Sequence, residues 1–148
     1  MHYGFIGLGE LGGALARNLA TSGDPLVVHD LKPALAEPVL AAGARWAGSP
    51  RAVAEQSDAV ITCLPSPTVS EAVLSGADGI LAGLRRGGTW IEMSTLGRED
   101  IVRLAGQAAA RGVDTLECPV TGGVHLAARG AITVLVGGDA AVLARHRG

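Results

Sequence analysis

Three glycines near the amino terminus have the spacing of a turn that can hold phosphate. Gly7, Gly9 and Gly12 lie in "GFIGLGELGGAL", after an apolar segment and at the start of a helical pattern. In such a turn the first glycine allows a sharp bend, the second lets a pyrophosphate approach, and the third permits close helix packing. Free amide groups and the positive end of the helix dipole would face the phosphates. A purely structural turn between a strand and a helix is the alternative.

An acidic residue stands where a dinucleotide site requires one. Asp30 follows a second apolar segment, 18 residues after Gly12, and its carboxylate could accept hydrogen bonds from an adenosine ribose. The same carboxylate would repel the 2′-phosphate of NADP, so NAD is the predicted cofactor. Lys32 could reach toward a phosphate, which keeps NADP as the less favoured alternative. Without a nucleotide, Asp30 would be a solvated residue at the end of a strand.

A second glycine-rich stretch, "ECPVTGGVHLAARG", could bind an anion of another kind. Thr121, Gly122 and Gly123 follow a proline-terminated apolar segment, and their backbone amides, with the Thr121 hydroxyl, can form a nest for a carboxylate. A plain turn between a strand and a helix fits the local sequence equally well. Together the two glycine clusters can define a cofactor site and a substrate site.

Few side chains could move a proton near these clusters. His125 lies beside the second one, and imidazole can transfer protons near neutral pH, although a surface position is the simpler interpretation. His29 is expected to flank the adenosine pocket or to face solvent. Cys63 and Cys118 are interpreted as small buried residues without an identifiable base. The four histidines make no metal-ligand pattern, so no metal site is predicted.

Alternating strand and helix patterns must position these residues. Apolar runs predict strands at 3–7, 26–30, 42–46, 59–64 and 89–94 and in "VDTLECPV" and "AITVLVGG". With helices between them, these strands imply a Rossmann-type, doubly wound α/β fold with a mostly parallel sheet and helices on both faces. The binding crevice would lie where the winding direction reverses, between the first strand and "AVITCL". The glycine turn and "LPSP" at 64–67 would then face each other across one cleft.

Length and composition limit the classes of protein that fit. The chain has 148 residues, 48% hydrophobic and 18% charged, which is typical of one globular domain. A formal net charge of −2 without basic clusters predicts no nucleic-acid or membrane partner and favours a small molecule. A cytoplasmic protein is expected, because no signal peptide or spanning segment is evident and the two cysteines suit a reducing compartment.

Both glycine clusters resemble those of the β-hydroxyacid dehydrogenases, which include 3-hydroxyisobutyrate dehydrogenase, tartronate semialdehyde reductase and the cofactor domain of 6-phosphogluconate dehydrogenase. "GFIGLGELGGALARNL" is similar to the family's cofactor motif, and "DAVITCLPSP" and "EMSTLG" are similar to its next two cofactor-lining stretches. "ECPVTGGVHLAARGAITVLVGG" resembles its substrate motif, with Thr121 for serine and Leu126 for a glycine. The resemblance covers nearly the whole chain.

The resemblance implies the NAD-binding domain of an oxidoreductase that transfers a hydride between a nicotinamide cofactor and a short 3-hydroxy acid. The implied substrate-binding residues are Thr121, Gly122 and Gly123, and the implied cofactor-binding residues are Gly7, Leu8, Gly9, Glu10, Leu11, Gly12, Asp30, Leu64, Pro65 and Thr95. The family's general base is a lysine in the first long helix after the cofactor domain. Lys32, the chain's one lysine, cannot replace it. Residues 1–148 are therefore expected to form the dinucleotide-binding domain without the helical domain, and to be inactive alone.

Two alternatives to this interpretation stay open. One is an NADP-linked relative similar to the imine reductases, which a binding preference for NADPH would favour. The other is a stand-alone, non-catalytic dinucleotide-binding module, which the lack of a helical domain in the natural protein would favour. Because family members assemble through the helical domain, the parent protein is expected to be a homo-oligomer.

Overall fold

A computed structural model describes residues 1–147 and contains nine strands and eight helices in that range. The strands are β1 (Tyr3–Ile6), β2 (Leu26–His29), β3 (Arg45–Trp46), β4 (Ala59–Thr62), β5 (Thr89–Glu92), β6 (Asp114–Glu117), β7 (Val120–Thr121), β8 (Thr133–Val134) and β9 (Gly137–Gly138). The helices are α1 (Glu10–Ala20), α2 (Glu37–Ala41), α3 (Pro50–Glu55), α4 (Pro67–Ser75), α5 (Ile80–Gly83), α6 (Arg98–Ala110), α7 (Gly123–Ala128) and α8 (Ala140–His146). A 3₁₀ turn at Pro33–Ala36 precedes α2.

The main sheet has the strand order β3-β2-β1-β4-β5-β6-β9. The first six of these strands run parallel, and β9 pairs antiparallel with β6 at the edge. The order reverses between β1 and β4, which pair from Tyr3 opposite Ala59 to Ile6 opposite Thr62. The predicted Rossmann-type, doubly wound fold is therefore confirmed, and the reversal occurs between the two strands predicted to flank the crevice.

The sheet separates two apolar cores, as expected for parallel strands that are buried on both faces. On one face, strand residues such as Val27, Val60 and Trp90 pack under α3, α4, α5 and α6. On the other face, strand residues such as Phe5, Val28 and Ile61 pack under α1, α2 and α8. Every residue of β4 is buried, which explains its uncharged, β-branched sequence. Among the described residues, no helix combines the length and the apolar character needed to cross a membrane.

Serine–proline pairs begin two of the helices that follow strands on the Trp90 side of the sheet. The Ser49 hydroxyl accepts the Ala52 amide at the start of α3, and the Ser66 hydroxyl accepts the Val69 amide at the start of α4. Proline follows each serine because the first helical position needs no amide hydrogen bond. These caps define where the helices after β3 and β4 begin.

The prediction of one strand in "AITVLVGG" was wrong. Thr133–Val134 pairs antiparallel with β7 in a separate two-stranded sheet, whereas Gly137–Gly138 pairs with the end of β6. Apolar alternation cannot distinguish these partners, and Gly138, at a φ of 144°, adopts a backbone conformation that favours glycine. The last helix, α8, ends at His146, and Gly148 lies outside the described residues.

His146 connects α8 to the amino-terminal ends of two parallel strands through hydrogen bonds. Its Nδ1 lies 3.1 Å from the Tyr3 hydroxyl, and its Nε2 lies 3.0 Å from Thr89 Oγ1. Burial lowers the pKa of His146, and the positive charge of Arg145 lowers it further, against a smaller opposing effect of Asp58. The folded protein therefore binds a proton at His146 less readily than the unfolded chain does.

We expect the free energy of unfolding to decrease as the pH falls below about 6.5, the usual pKa of histidine in an unfolded chain. Above that value the neutral imidazole is present in both states, so its contribution to stability is complete. Thermal denaturation at a series of pH values between about 7.5 and 5.5 measures the effect. A His146→Asn variant should show a weaker pH dependence, and an unchanged dependence in this variant would contradict the prediction.

Candidate cofactor and substrate site

The three glycines of the first cluster have different surroundings. A Cβ atom on Gly7 or Gly12 would overlap a backbone carbonyl oxygen, that of Cys63 or that of Gly7 respectively. Gly7 also has a φ of 101°, which favours glycine. A Cβ atom on Gly9, in contrast, would have no neighbouring atom within 4 Å. The fold itself therefore requires glycine at positions 7 and 12, whereas the open space at Gly9 is available to a ligand.

The start of α1 provides donors beside that open space. Gly9 is the N-cap residue and makes no side-chain cap, and the first intrahelical bond runs from the Gly13 amide to the Gly9 carbonyl oxygen at 2.7 Å. The amides of Glu10, Leu11 and Gly12 have no backbone or side-chain acceptor within residues 1–147. These three amides and the space at Gly9 fit a pyrophosphate.

The Asp30 carboxylate is held in place by backbone amides. Its Oδ2 accepts the Leu8 amide at 2.8 Å, and its Oδ1 accepts the Lys32 amide at 2.8 Å. Leu8 therefore positions Asp30 through its amide, while its side chain is buried in the core. Each carboxylate oxygen keeps a second lone pair, which can accept a hydrogen bond from a ribose hydroxyl. The Lys32 residue is exposed.

His29 is buried and does not face solvent. The residue is 7% exposed, its Nδ1 lies 2.9 Å from the Ala47 carbonyl oxygen, and its ring packs on Trp46 at a centroid distance of 5.1 Å. The expectation that His29 faces solvent was therefore wrong, whereas its placement beside the adenosine pocket stays a prediction. Strand alternation turns its side chain away from Asp30 and into the protein.

The loops after β4 and β5 are joined to each other beside the glycine turn. The Leu64 amide donates to Ser94 Oγ at 2.7 Å, and the next residues of the two loops, Pro65 and Thr95, are exposed. A Cβ atom on Gly7 would lie 3.1 Å from Leu64 Cδ2, so this wall adjoins the turn. Strand order places Asp30 on the opposite side of the turn from Leu64 and Thr95.

A buried polar cluster under this wall was missed by the sequence analysis. Glu92 is 0% exposed, and its Oε1 accepts the Thr62 hydroxyl at 3.0 Å and the Ser94 amide at 2.9 Å. Trp90 Nε1 donates to Thr62 Oγ1 at 2.9 Å. The available signal was a glutamate within "TWIEMS", a strand predicted to be buried in a parallel sheet, where a charged residue needs partners.

Neither cysteine has the properties of a nucleophile. Burial, followed by the charge of Glu92, raises the pKa of the Cys63 thiol to about 11. Burial, followed by the charge of Glu117, raises the pKa of the Cys118 thiol to about 11. Both thiols are therefore protonated near neutral pH. Cys118 is buried, as predicted, whereas Cys63 is only half-buried. Within residues 1–147, no group of three or more side chains could hold a metal ion.

The second glycine cluster forms a turn that only glycine fits easily. Thr121 ends β7, and Gly122 and Gly123 follow with φ values of 118° and 75°. Leu126 lies over Gly122, since a Cβ atom there would be 2.7 Å from Leu126 Cδ1. Thr121, Gly122 and Gly123 are exposed, as is His125.

The two glycine clusters are connected through a pair of helices. In α1, Asn18 Nδ2 donates to the carbonyl oxygen of Ala127 in α7. A groove of about 520 Å³ runs between these helices and the segment that contains α2. Gly9 and Glu10 line this groove together with Val124 of α7. The structure thus brings the glycine turn next to the helix that follows Thr121–Gly123.

Comparison with known proteins agrees with this geometry. Residues 2–148 match the family described as the NAD binding domain of 6-phosphogluconate dehydrogenase. The mitochondrial 3-hydroxyisobutyrate dehydrogenase of Rattus norvegicus is 41% identical over 135 residues, which are 91% of this chain and 40% of that enzyme. The chain thus spans less than half the length of this curated relative.

Two solved structures have the same fold at similar sequence identity. The 3-hydroxyisobutyrate dehydrogenase of Mycobacterium tuberculosis with L-serine has a TM-score of 0.92 and 31% identity, covering 99% of this chain and 49% of that one. Psf3 in complex with NADP+ and 2-OPP has a TM-score of 0.92 and 32% identity, covering 98% of this chain and 51% of that one. The chain belongs to the family of NAD-binding domains represented by that of 6-phosphogluconate dehydrogenase.

Proposed function

We propose that this chain is the cofactor-binding part of an oxidoreductase that acts on a short 3-hydroxy acid with NAD. The observation that carries the proposal is the open space at Gly9, bordered by three free amides, with the Asp30 carboxylate already oriented at the end of the adjacent strand. The rat relative is named for 3-hydroxyisobutyrate, and the mycobacterial structure contains L-serine, which is also a 3-hydroxy acid. These names support the substrate class.

Each part of the crevice has a distinct role in this proposal. The amides of Glu10, Leu11 and Gly12 hold the pyrophosphate, with Gly7 forming the turn beneath it, and Asp30 accepts the hydroxyls of the adenosine ribose. The nicotinamide half then lies over the ends of β4 and β5, where Leu64, Pro65 and Thr95 line the wall. When bound, NAD supplies the hydride acceptor.

The substrate carboxylate is assigned to the second cluster. The Thr121 hydroxyl and the amides of Gly122 and Gly123 would donate to it, because these residues are exposed in a turn, where successive amides can surround an anion. The packing of α7 on α1 would keep this subsite at a fixed position relative to the cofactor. Leu126 over Gly122 shapes the turn and contributes to the choice of acid.

The general base is proposed to lie outside residues 1–148. Lys32 belongs to the adenosine side of the crevice, and the His125 imidazole makes no hydrogen bond with the described part of the chain. A lysine from a helical domain of a longer protein would complete the site. In this proposal the parent protein is a cytoplasmic homo-oligomer assembled through that helical domain.

The choice of cofactor is testable at Asp30. We expect Asp30→Ala to weaken NAD binding about tenfold or more, because charged hydrogen bonds contribute about 1.5 to 3 kcal/mol each. The ratio of NAD affinity to NADP affinity should decrease, because a charge that repels the 2′-phosphate is removed. Titration calorimetry with both cofactors measures this. Asp24→Ala, which removes an exposed acid elsewhere, is the matched control, and a wild-type preference for NADP would contradict the assignment.

A second candidate is an NADP-linked oxidoreductase. It is favoured by the 32% identical structure that contains NADP+ and by the exposed Lys32, whose ammonium group could pair with a 2′-phosphate. A third candidate, a non-catalytic dinucleotide-binding module, would bind NAD without any associated turnover. The same calorimetry separates the first two candidates.

The activity itself is tested with the natural polypeptide that contains this chain. We expect it to form NADH from at least one member of a panel of short 3-hydroxy acids. A matched panel of 2-hydroxy acids, in which the hydroxyl group is one carbon closer to the carboxylate, is the control. Turnover of the 2-hydroxy acids alone would contradict the proposed substrate class.

A further inference from the structure

Glu92 is a fully buried acid that the proposed chemistry does not use. It is the last residue of β5 and lies on the face of the sheet covered by α3, α4, α5 and α6. Its Oε1 accepts two hydrogen bonds, whereas its Oε2 has no partner in the described part of the chain. Burying a carboxylate costs free energy, so packing alone does not explain a glutamate at position 92.

The hydrogen bonds around Glu92 form a directed chain. The Thr62 hydroxyl accepts from Trp90 Nε1 at 2.9 Å, so its own proton is free to donate to Glu92 Oε1 at 3.0 Å. The same oxygen accepts the Ser94 amide at 2.9 Å. Glu92 therefore fixes both the end of β4, through Thr62, and the first residues after β5, through Ser94.

Ser94 extends this chain to the surface of the crevice. Its Oγ accepts the Leu64 amide at 2.7 Å, which ties the loop after β4 to the loop after β5. Leu64 and Thr95, the residue after Ser94, belong to the wall assigned to the nicotinamide half of the cofactor. Glu92 does not reach that wall itself, so any effect on the cofactor must pass through Ser94 and Leu64.

We infer that Glu92 is a positioning residue that sets the wall for the nicotinamide half of NAD. This inference rests on the proposed function. The strand order supports the assignment, because Asp30 follows β2, the pyrophosphate turn follows β1, and β4 and β5 lie beyond the turn on the other side. ADP, which lacks the nicotinamide half, would use only the part of the crevice that Glu92 does not touch.

Glu92→Ala, Glu92→Gln and the wild-type chain are compared by calorimetry with NAD and with ADP. We expect Glu92→Ala to weaken NAD binding about tenfold, because loss of the acceptor releases Ser94 and Leu64. Binding of ADP should change by less than about twofold, which lies within ordinary mutational variation. Glu92→Gln keeps an oxygen that can accept from Thr62 and Ser94, so it should restore most of the NAD affinity.

Thr115→Val is the matched control, because half-buried Thr115 lies on the same face of the sheet as Glu92 and has a buried side-chain oxygen. Thr115 is registered opposite Trp90, and its Oγ1 also has no partner within the described residues, yet it lies in the amino-terminal half of β6, away from the crevice at the carboxyl ends of the strands. Its replacement should leave the ratio of the NAD and ADP affinities unchanged. If Glu92→Ala does not fold, Ser94→Ala breaks the same link at Leu64 and should show the same selective loss.

The possible outcomes separate the inference from the proposed function. A wild-type chain that binds neither NAD nor ADP would overturn the proposed function. A wild-type chain that binds both, with equal losses of NAD and ADP affinity in Glu92→Ala, would overturn only the inference. Equal NAD losses in Glu92→Ala and Glu92→Gln would also overturn it, because the hydrogen-bond acceptor would then not be the group that matters.

Discussion

Replacing Gly9 by valine should abolish NAD binding while the domain stays folded. The backbone at Gly9 is extended, with φ −64° and ψ −166°, which valine adopts without strain, and no atom lies within 4 Å of a Cβ atom there. The side chain would occupy the space proposed for the pyrophosphate and screen the first amides of α1. We expect at least about a hundredfold loss of affinity. Calorimetry with NAD, together with circular dichroism, measures both parts of the prediction.

Two further glycines are controls for this experiment. Gly12→Ala should destabilise the fold, because its Cβ atom would overlap the Gly7 carbonyl oxygen, a backbone atom that cannot move aside alone. Gly106→Val, on the exposed surface of α6 with no atom near its Cβ position, should leave both folding and NAD affinity unchanged. If a folded Gly9→Val protein bound NAD with wild-type affinity, the glycine turn would have a purely structural role and the prediction would be wrong.

The 148-residue chain should bind NAD and yet oxidise no 3-hydroxy acid. Binding needs the glycine turn, Asp30 and the wall at Leu64, all of which are present. Turnover also needs a group that removes the hydroxyl proton, and a positioned general base contributes about 10² to 10⁴ in rate. The loss should exceed that factor, since a longer protein would also close the crevice and hold the substrate in place.

The measurement is NADH formation by this chain and by the longest natural polypeptide that contains it, at equal concentrations of NAD-binding sites. The expected result is turnover by the longer polypeptide only. Comparable turnover by both would place the base within residues 1–148. His125, beside the second glycine cluster, would then be the first residue to replace, with Gln as the uncharged variant.

The fold was predictable because its main elements are encoded locally. The alternation of buried strands and helices predicts the doubly wound sheet, which the strand order shows. The two short strands around Thr133 and Gly137 were not predictable, because each contributes only two residues and pairs with a strand on the other side of α7. Tertiary contacts, rather than local propensity, decide such pairings.

The candidate site was predictable where the type and spacing of a residue point to a single physical role. Glycine spacing and the position of Asp30 indicate the crevice, and whether these residues bind NAD stays a prediction. The link from the Leu8 amide to Asp30 was not predictable, because the contact depends on how the loop after β2 meets the glycine turn. Glu92 was overlooked because "TWIEMS" was treated only as an apolar strand.

The two amides that bind the Asp30 carboxylate also determine whether its conformational entropy is lost on folding or on nucleotide binding. In the free domain the carboxylate already accepts from Leu8 and Lys32, so its rotamer is fixed when the chain folds. The cost of ordering this side chain, on the order of 0.5 kcal/mol, therefore reduces the stability of the free domain instead of the affinity for a nucleotide. A ribose would meet an acceptor that needs no rearrangement, and the adenosine half could bind before the nicotinamide half is in place.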